Sequence, residues 1–298
     1  MSGRMDVVAR GARVKRLGRE FRWPGDRRVA VVFNLAYEAW SDGKPPGLSP
    51  MGNPLPPGAF DSNALSWGSY GSERGIERLM DVLARTKIRA SVMTSGILAQ
   101  RFPETVRAIA AAGHEIVAHS WAQDIIPSML TPEEVRADIA RTTEILTKVA
   151  GVRPCGWISP RGTAAADSAR FAQEAGYAWQ GDAFDDDRPY LQTFENGERI
   201  VAIPLTMEIN DLPHAMRFGR SPRAFIELFD DLLAHSRRNK REAVMIDVTA
   251  HAHVYGRPNG AWAYEEIANK TKKMQDVWIA TREQIATHVL KTATKENS

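Results

Sequence analysis

Apolar and polar positions along this chain switch repeatedly between two periods, and the switching predicts the elements. Residues 29–35 (VAVVFNL) form a near-continuous apolar run of strand length, the pattern of a strand buried on both faces. Residues 72–85 instead repeat every three to four positions, with Ile76, Leu79, Met80 and Leu83 on one helical face. Further strand-type runs are predicted at 90–93, 115–118, 155–158, 177–179, 200–203, 243–248 and 277–279. Helical patterns at 103–112, 131–149, 165–175, 222–235, 262–274 and 281–290 separate them. Some boundaries are well marked. Thr131, Pro132 and Glu134 read as a capping box with proline in the first turn, and Gly151 stops that helix. Ser221 before Pro222, and Thr281 with Gln284, read as two further helix starts.

Strand and helix alternating from end to end imply an α/β fold with a parallel sheet. The choice lies between a barrel and a doubly wound sheet. About seven strands without a glycine-rich dinucleotide fingerprint favour the barrel. The division expected is an N-terminal arm over 1–28, one domain over 29–292 and a tail over 293–298. Two stretches read as irregular. Residues 41–69 are rich in proline and glycine, and their place after the first strand suggests a lid or rim. Residues 181–199 carry Asp185, Asp186 and Asp187.

Composition narrows the function classes. With 39 basic and 36 acidic residues interspersed, a formal charge of +3 is no nucleic-acid signature. Only the N-terminus has a local positive bias, from Arg4, Arg10, Arg13, Lys15, Arg16 and Arg19. It reads as a solvated arm packing on the surface or on a second subunit. No apolar segment there has signal-peptide length, and no run reaches membrane-spanning length. A lone cysteine, Cys155, forms no internal disulfide, so a reducing, cytoplasmic setting is expected.

In a parallel barrel the chemistry sits at the C-terminal ends of the strands. The polar residues there are Asn34, Tyr37 and Glu38, then His119, Gln123 and Asp124, then Ser159 and Arg161, then Glu208, Asn210 and Asp211, and finally His251 and His253. Any one of them, a lone histidine above all, reads first as a satisfied loop residue; their recurrence at one end is the signal. The segments in which they occur resemble those of the NodB-type polysaccharide deacetylases (carbohydrate esterase 4-like). Residues 113–120 (GHEIVAHS) are similar to the family's central histidine segment, and 31–38 (VVFNLAYE) to its first motif. Residues 156–161 (GWISPR) and 249–251 (TAH) resemble the third motif and the C-terminal histidine motif. Residues 70–72, 210–213, 256–258 and 277–286 resemble the branch holding NodB-type allantoinases, cyclic imide hydrolases and cytoplasmic peptidoglycan-deacetylase-like proteins. The resemblance implies a distorted (β/α)7 barrel, and it implies homo-oligomerisation.

Departures from the family pattern shape the functional expectation. Metal-dependent members use an aspartate and two histidines spaced i, i+4 as ligands, with a second aspartate as base. Here Glu38 stands at the ligand aspartate, Ala36 at the base and Gln123 four residues after His119. Gln is a poor zinc ligand. The resemblance therefore implies a degraded metal site and no essential cofactor. The alternative is a rebuilt zinc site on Glu38 and His119 with Gln123 or His253. Glu38, His119, His251 and Arg161 are the candidate catalytic residues; Tyr37, Trp121, Trp157, Asn210, Asp211 and His253 are the candidate substrate contacts. Burial is expected to raise the Glu38 pKa so that it can act as a base, with His251 as the acid. The function expected is hydrolysis of a non-peptide C–N bond in a small molecule, by ring opening of a cyclic amide, imide or ureide. The alternatives are a metal-dependent N-deacetylase of an amino sugar or peptidoglycan fragment, and an inactive ligand-binding homologue.

Overall fold

A strand buried on both faces can only be the centre of a covered sheet, and Val29–Tyr37 (β2) holds that place, every residue of it buried. The computed structural model describes residues 11–48, 50–51, 55–56, 58–239 and 241–295. The remaining strands are Ala12–Arg16 (β1), Ser91–Thr94 (β3), Glu115–Ala118 (β4), Gly156–Trp157 (β5), Trp179–Gln180 (β6), Tyr190–Phe194 (β7), Arg199–Ala202 (β8), Val244–His251 (β9) and Val277–Ala280 (β10).

Eight strands run parallel, seven in the order β9-β2-β3-β4-β5-β6-β8 and β10 beside β2. Helices cover their outer faces, so this is the expected (β/α)7 barrel. Its distortion is concentrated in two places. β10 pairs with the first half of β2 and β3 with the second half. Between β8 and β9, among the described residues, a single parallel bridge from Asn210 to Thr249 stands in for a ladder.

Strand periodicity divides the core into two layers. Val29, Val31, Phe33, Leu35 and Tyr37 pack outward against the helices. Ala30, Val32 and Ala36 face the barrel interior with Met93, Val117, Ile158, Val201 and Met245. Interior Asn34 belongs to a buried polar plug. Arg282 and Asp247, both without solvent exposure, form an ion pair, and Asn34 donates to Asp247 Oδ1 at 2.5 Å. Arg282 also donates to the carbonyls of Ile203 and Pro204.

Helix Pro132–Ala150 has its capping box, Thr131 with Glu134, and ends at Gly151 in the left-handed region. Helix Arg282–Lys295 starts at the reciprocal Thr281–Gln284 cap and runs into the expected tail. Residues 41–69 are less irregular than expected: Asp61 caps helix Ser62–Tyr70, which passes through a π-helical turn, Gly71–Gly75, into helix Ile76–Thr86. Residues 181–199 contain β7, which turns through Asn196 and Gly197 into antiparallel β8. The described part of the arm is not merely solvated. β1 adds to β7, Arg16 pairs with Asp185 and Asp186, and Trp23 is buried. Arg4 and Arg10 lie outside the described residues. No helix among the described residues is long and apolar enough to cross a membrane.

Candidate active site

The interior-facing parity of three strands, extended to their C-terminal ends, brings the polar residues together. In β2 it runs through Asn34 and Ala36 to Glu38; in β4 through Glu115 and Val117 to His119; in β9 through Asp247 and Thr249 to His251. All three end residues line one cavity of about 480 Å³. His119 Nε2 lies 3.1 Å from Glu38 Oε1, His251 Nε2 lies 3.7 Å from the same oxygen, and His253 Nδ1 lies 3.8 Å from Glu38 Oε2. The four side chains are at most 9% exposed.

Each histidine is fixed from behind. His119 Nδ1 meets the Ile158 carbonyl at 2.7 Å, which turns Nε2 into the cavity. His251 Nδ1 meets Asp211 Oδ1 at 2.6 Å. Asp211 Oδ2 accepts the backbone N–H of His251 at 2.8 Å and of Tyr255 at 3.0 Å. The His253 ring stands edge-on to Trp40 and Trp67. Its loop comes close to the π-helical turn: a Cβ on Gly75 would lie 1.8 Å from the Ala252 carbonyl oxygen, so only glycine fits. Two non-glycine residues at strand ends, Ser120 and Arg161, have φ of 58°. Such backbone costs about 1–3 kcal/mol and persists where surrounding bonds enforce it. Asp138 does so for Ser120, accepting its hydroxyl and the Trp121 backbone N–H.

The electrostatics reverse one expectation. Burial alone raises the Glu38 pKa, but the charge of His251 and the contacts with His119 and His253 outweigh it, leaving it at about 2. Glu38 is thus an anion rather than a raised-pKa base. His251 moves the other way. Burial disfavours its cation, yet Asp211 and Glu38 lift it from 6.5 to about 9. Burial lowers His253 to about 4, partly opposed by Glu38. Near neutral pH the cavity holds a carboxylate, a cationic His251 and a neutral His253.

Several expected substrate contacts lie elsewhere, for reasons of strand parity. Tyr37 is one residue out of phase with Glu38 and is buried among the helices. Trp157 faces outward too, against Tyr177, with Nε1 3.3 Å from Ser159 Oγ. Trp121 packs with Ile97 and Ala122, and the Arg141 guanidinium covers its ring at 3.3 Å. Asp211 is wholly buried behind His251 and does not reach the cavity. Asn210, His253 and Arg161 do line it. The aromatic walls are instead Trp40, Trp67 and Phe184, which the strand-end reading missed because they come from loops and from helix Ser62–Tyr70.

A family-type metal fits these residues poorly. Ala36 offers no ligand atom. Gln123 turns its amide to Ser95 Oγ and the His119 carbonyl. Neighbouring Asp124 accepts the Ser41 backbone N–H. Glu38 and His119 are close enough to share an ion, and His251 and His253 approach Glu38, but among the described residues no third donor of the His, Cys or carboxylate type lies close to both Glu38 and His119. Among the described residues the one group of three mutually close donors is Glu115, Cys155 and Glu283. It stands at the opposite end of the barrel, where the Glu115 carboxylate accepts from Ser91, Trp179 and the Glu283 backbone N–H.

Comparison with known proteins converges on one family. A polysaccharide deacetylase profile matches residues 60–179. The structure of an allantoinase, PuuE, is 28% identical and superposes with a TM-score of 0.82 over 98% of this chain and 99% of that one. A protein of Pseudomonas aeruginosa PAO1 described as a "probable polysaccharide deacetylase" is 29% identical, with a TM-score of 0.80 over 90% and 93%. The peptidoglycan deacetylase of Helicobacter pylori is 22% identical over 76% of this chain and 87% of its own.

Proposed function

Because this chain belongs to the NodB-type polysaccharide deacetylase superfamily and is a hydrolase of carbon–nitrogen bonds other than peptide bonds, we propose that it opens the ring of a cyclic amide, imide or ureide without an essential bound metal. The observation that carries this reading is an intact acid beside a dismantled ligand set. His251 is cationic and held by Asp211. Ala36 and Gln123 occupy the positions at which the family pattern has an acid and a histidine.

Hydrolysis needs a placed water, charge stabilisation at the carbonyl oxygen and a proton for the leaving nitrogen. Glu38, held as an anion, accepts a hydrogen bond from the water and orients its lone pair. His251 Nε2 delivers the proton to the nitrogen, and Asp211 holds the ring in place and favours its charged form. Arg161 at the cavity mouth polarises a carbonyl or receives a carboxylate. Trp67 and Trp40 form flat walls suited to a planar ring. In an imide or ureide the nitrogen lone pair is shared between two carbonyls, so the carbonyl carbon is more electrophilic than in an acetamide. Less Lewis-acid help is required, and each tenfold of rate thus made unnecessary is about 1.4 kcal/mol of barrier.

A second reading, a zinc-dependent N-deacetylase of an amino sugar, draws on the Glu38–His119 pair and the anchored His119 Nδ1. Assay of allantoin, hydantoin, succinimide, glutarimide and chitooligosaccharides, with wild type, Glu38→Ala and His251→Ala, separates the two. Ring opening lost in both variants supports the first; acetate release from the oligosaccharides supports the second.

A further inference from the structure

His253 is a cavity residue that the reading above leaves without a task, and its Nδ1 is a buried polar atom with no hydrogen-bond partner. The side chain is 2% exposed and faces Glu38 Oε2 across 3.8 Å. That gap is too long for a direct hydrogen bond. It suits one water bridging the two atoms with legs of about 2.8 Å. A buried nitrogen left unsatisfied costs about 1–3 kcal/mol, which favours such a guest. In the tautomer that carries its proton on Nε2, His253 Nδ1 is an acceptor facing the Glu38 carboxylate, and a bridging water donates one hydrogen to each. Its lone pairs then face the open cavity, the orientation an attacking nucleophile needs. Gly75 and the rings of Trp40 and Trp67 fix the His253 loop and ring, so the site is rigid before any substrate enters.

We propose that the hydrolytic water sits between Glu38 Oε2 and His253 Nδ1, and that His253 is a catalytic residue which takes the water's proton. The inference rests on the hydrolase reading above and adds the identity of the base. The water oxygen bonds to the carbonyl carbon as its proton passes to His253 Nδ1, where the Glu38 carboxylate stabilises the new imidazolium. The carbon–nitrogen bond then breaks, its electron pair staying on nitrogen, which takes the His251 Nε2 proton. Exchange with solvent removes the proton from His253 and restores one to His251. Ala36 explains why a histidine is needed: the family's aspartate position carries no base in this chain.

Two measurements test the proposal. The first is a high-resolution crystal structure of the unliganded wild-type enzyme, with a water expected within hydrogen-bond distance of both atoms. The second is the kinetics of His253→Asn on whichever of succinimide, hydantoin, allantoin and chitooligosaccharide the wild type turns over. Asn keeps a polar atom near the Nδ1 position but cannot hold a proton, so kcat should fall about 10²–10⁴-fold. KM should stay within about threefold, and the acid limb of the pH profile should vanish. A bridging site without water, or a folded variant with kcat within about threefold of wild type, overturns the proposal. If the substrates turned over include no cyclic imide or ureide, the ring-opening reading fails separately. The position of the water then still decides the His253 assignment.

Discussion

Asp211 grips His251 at two points: one carboxylate oxygen meets the ring at Nδ1, 2.6 Å away, and the other accepts the same residue's backbone N–H at 2.8 Å. A cation placed so rigidly next to an anion stays protonated well above the ordinary imidazole range, and the kinetic consequences follow from the sign of that shift. A raised pKa means that the proton, and the stability it brings, is fully present below pH 6.5 and lost as pH rises through about 9. Activity that needs the proton falls on the same alkaline limb. We expect kcat/KM to decline near pH 9. In Asp211→Asn the limb should move to lower pH, since the largest interaction raising His251 is gone. A pH–rate profile of both proteins checks this; a limb that stays put in the variant would remove His251 as the acid.

Glu38 has the opposite sign. Its depressed pKa contributes stability above about pH 4.5 that is lost as pH falls through about 2. Glu38→Gln should therefore flatten the acid end of the stability curve and, by losing the anion that orients water, lower kcat about 10²-fold or more. Denaturant melts from pH 2 to 7, followed by kinetics at pH 7, read the two effects separately.

The wall aromatics divide into one that should matter to substrate and one that should not. Trp67→Ala removes a cavity wall and the ring against His253, and KM should rise about 10–200-fold, the effect of about 1–3 kcal/mol of lost pocket contact. Trp157→Phe, on the outer face of its strand, should leave KM within about twofold while lowering stability by about 1–3 kcal/mol. Equal effects of the two on KM would contradict the layer assignment.

Below the cavity, Arg282 and Asp247 are buried without solvent contact and satisfied by Asn34 and two backbone carbonyls. Arg282→Ala leaves Asp247 unpaired in the barrel interior, and a loss of about 3–5 kcal/mol is expected. Chemical denaturation measures it. Arg282→Met, which keeps the volume but not the charge, should be little better, because Asp247 remains.

Gly75 is where packing of the outer helix meets the site. Gly75→Ala would drive a methyl into the Ala252 carbonyl, and the loop carrying His253 would have to move. The variant should lose kcat by about 10²-fold, the usual cost of a displacement near 1 Å at a catalytic group. Crystallography of the variant reports the shift directly.

The sequence carried much of this arrangement, unevenly. Buried parallel strands announce themselves as apolar runs, and helix 132–150 announces both its ends through Thr131, Pro132 and Gly151, so the barrel was legible. So was the meeting of Glu38, His119 and His251, because each follows a strand of that barrel. Strand parity was the signal left unused. Tyr37 sits one residue from Glu38, and Trp157 two residues before Ser159, each on the helix-facing side. Asn196-Gly197 between two β-type runs marks the β7–β8 hairpin by its turn chemistry. The Glu38 pKa was not legible, since burial and three histidines push it in opposite directions and only their distances decide. Trp67 was hidden in a segment whose prolines and glycines masked a nine-residue helix.

The central claim is a carbon–nitrogen hydrolase that opens a ring with Glu38 and His251 and needs no metal to do so. Its most direct test is the rate on succinimide, hydantoin and allantoin before and after exhaustive chelation, with the metal content of each sample determined. Ring opening of at least one of them at an unchanged rate in metal-free protein is the result this account requires. Activity that disappears on chelation and returns with one equivalent of zinc, or acetate release from chitooligosaccharides as the only reaction, would contradict it.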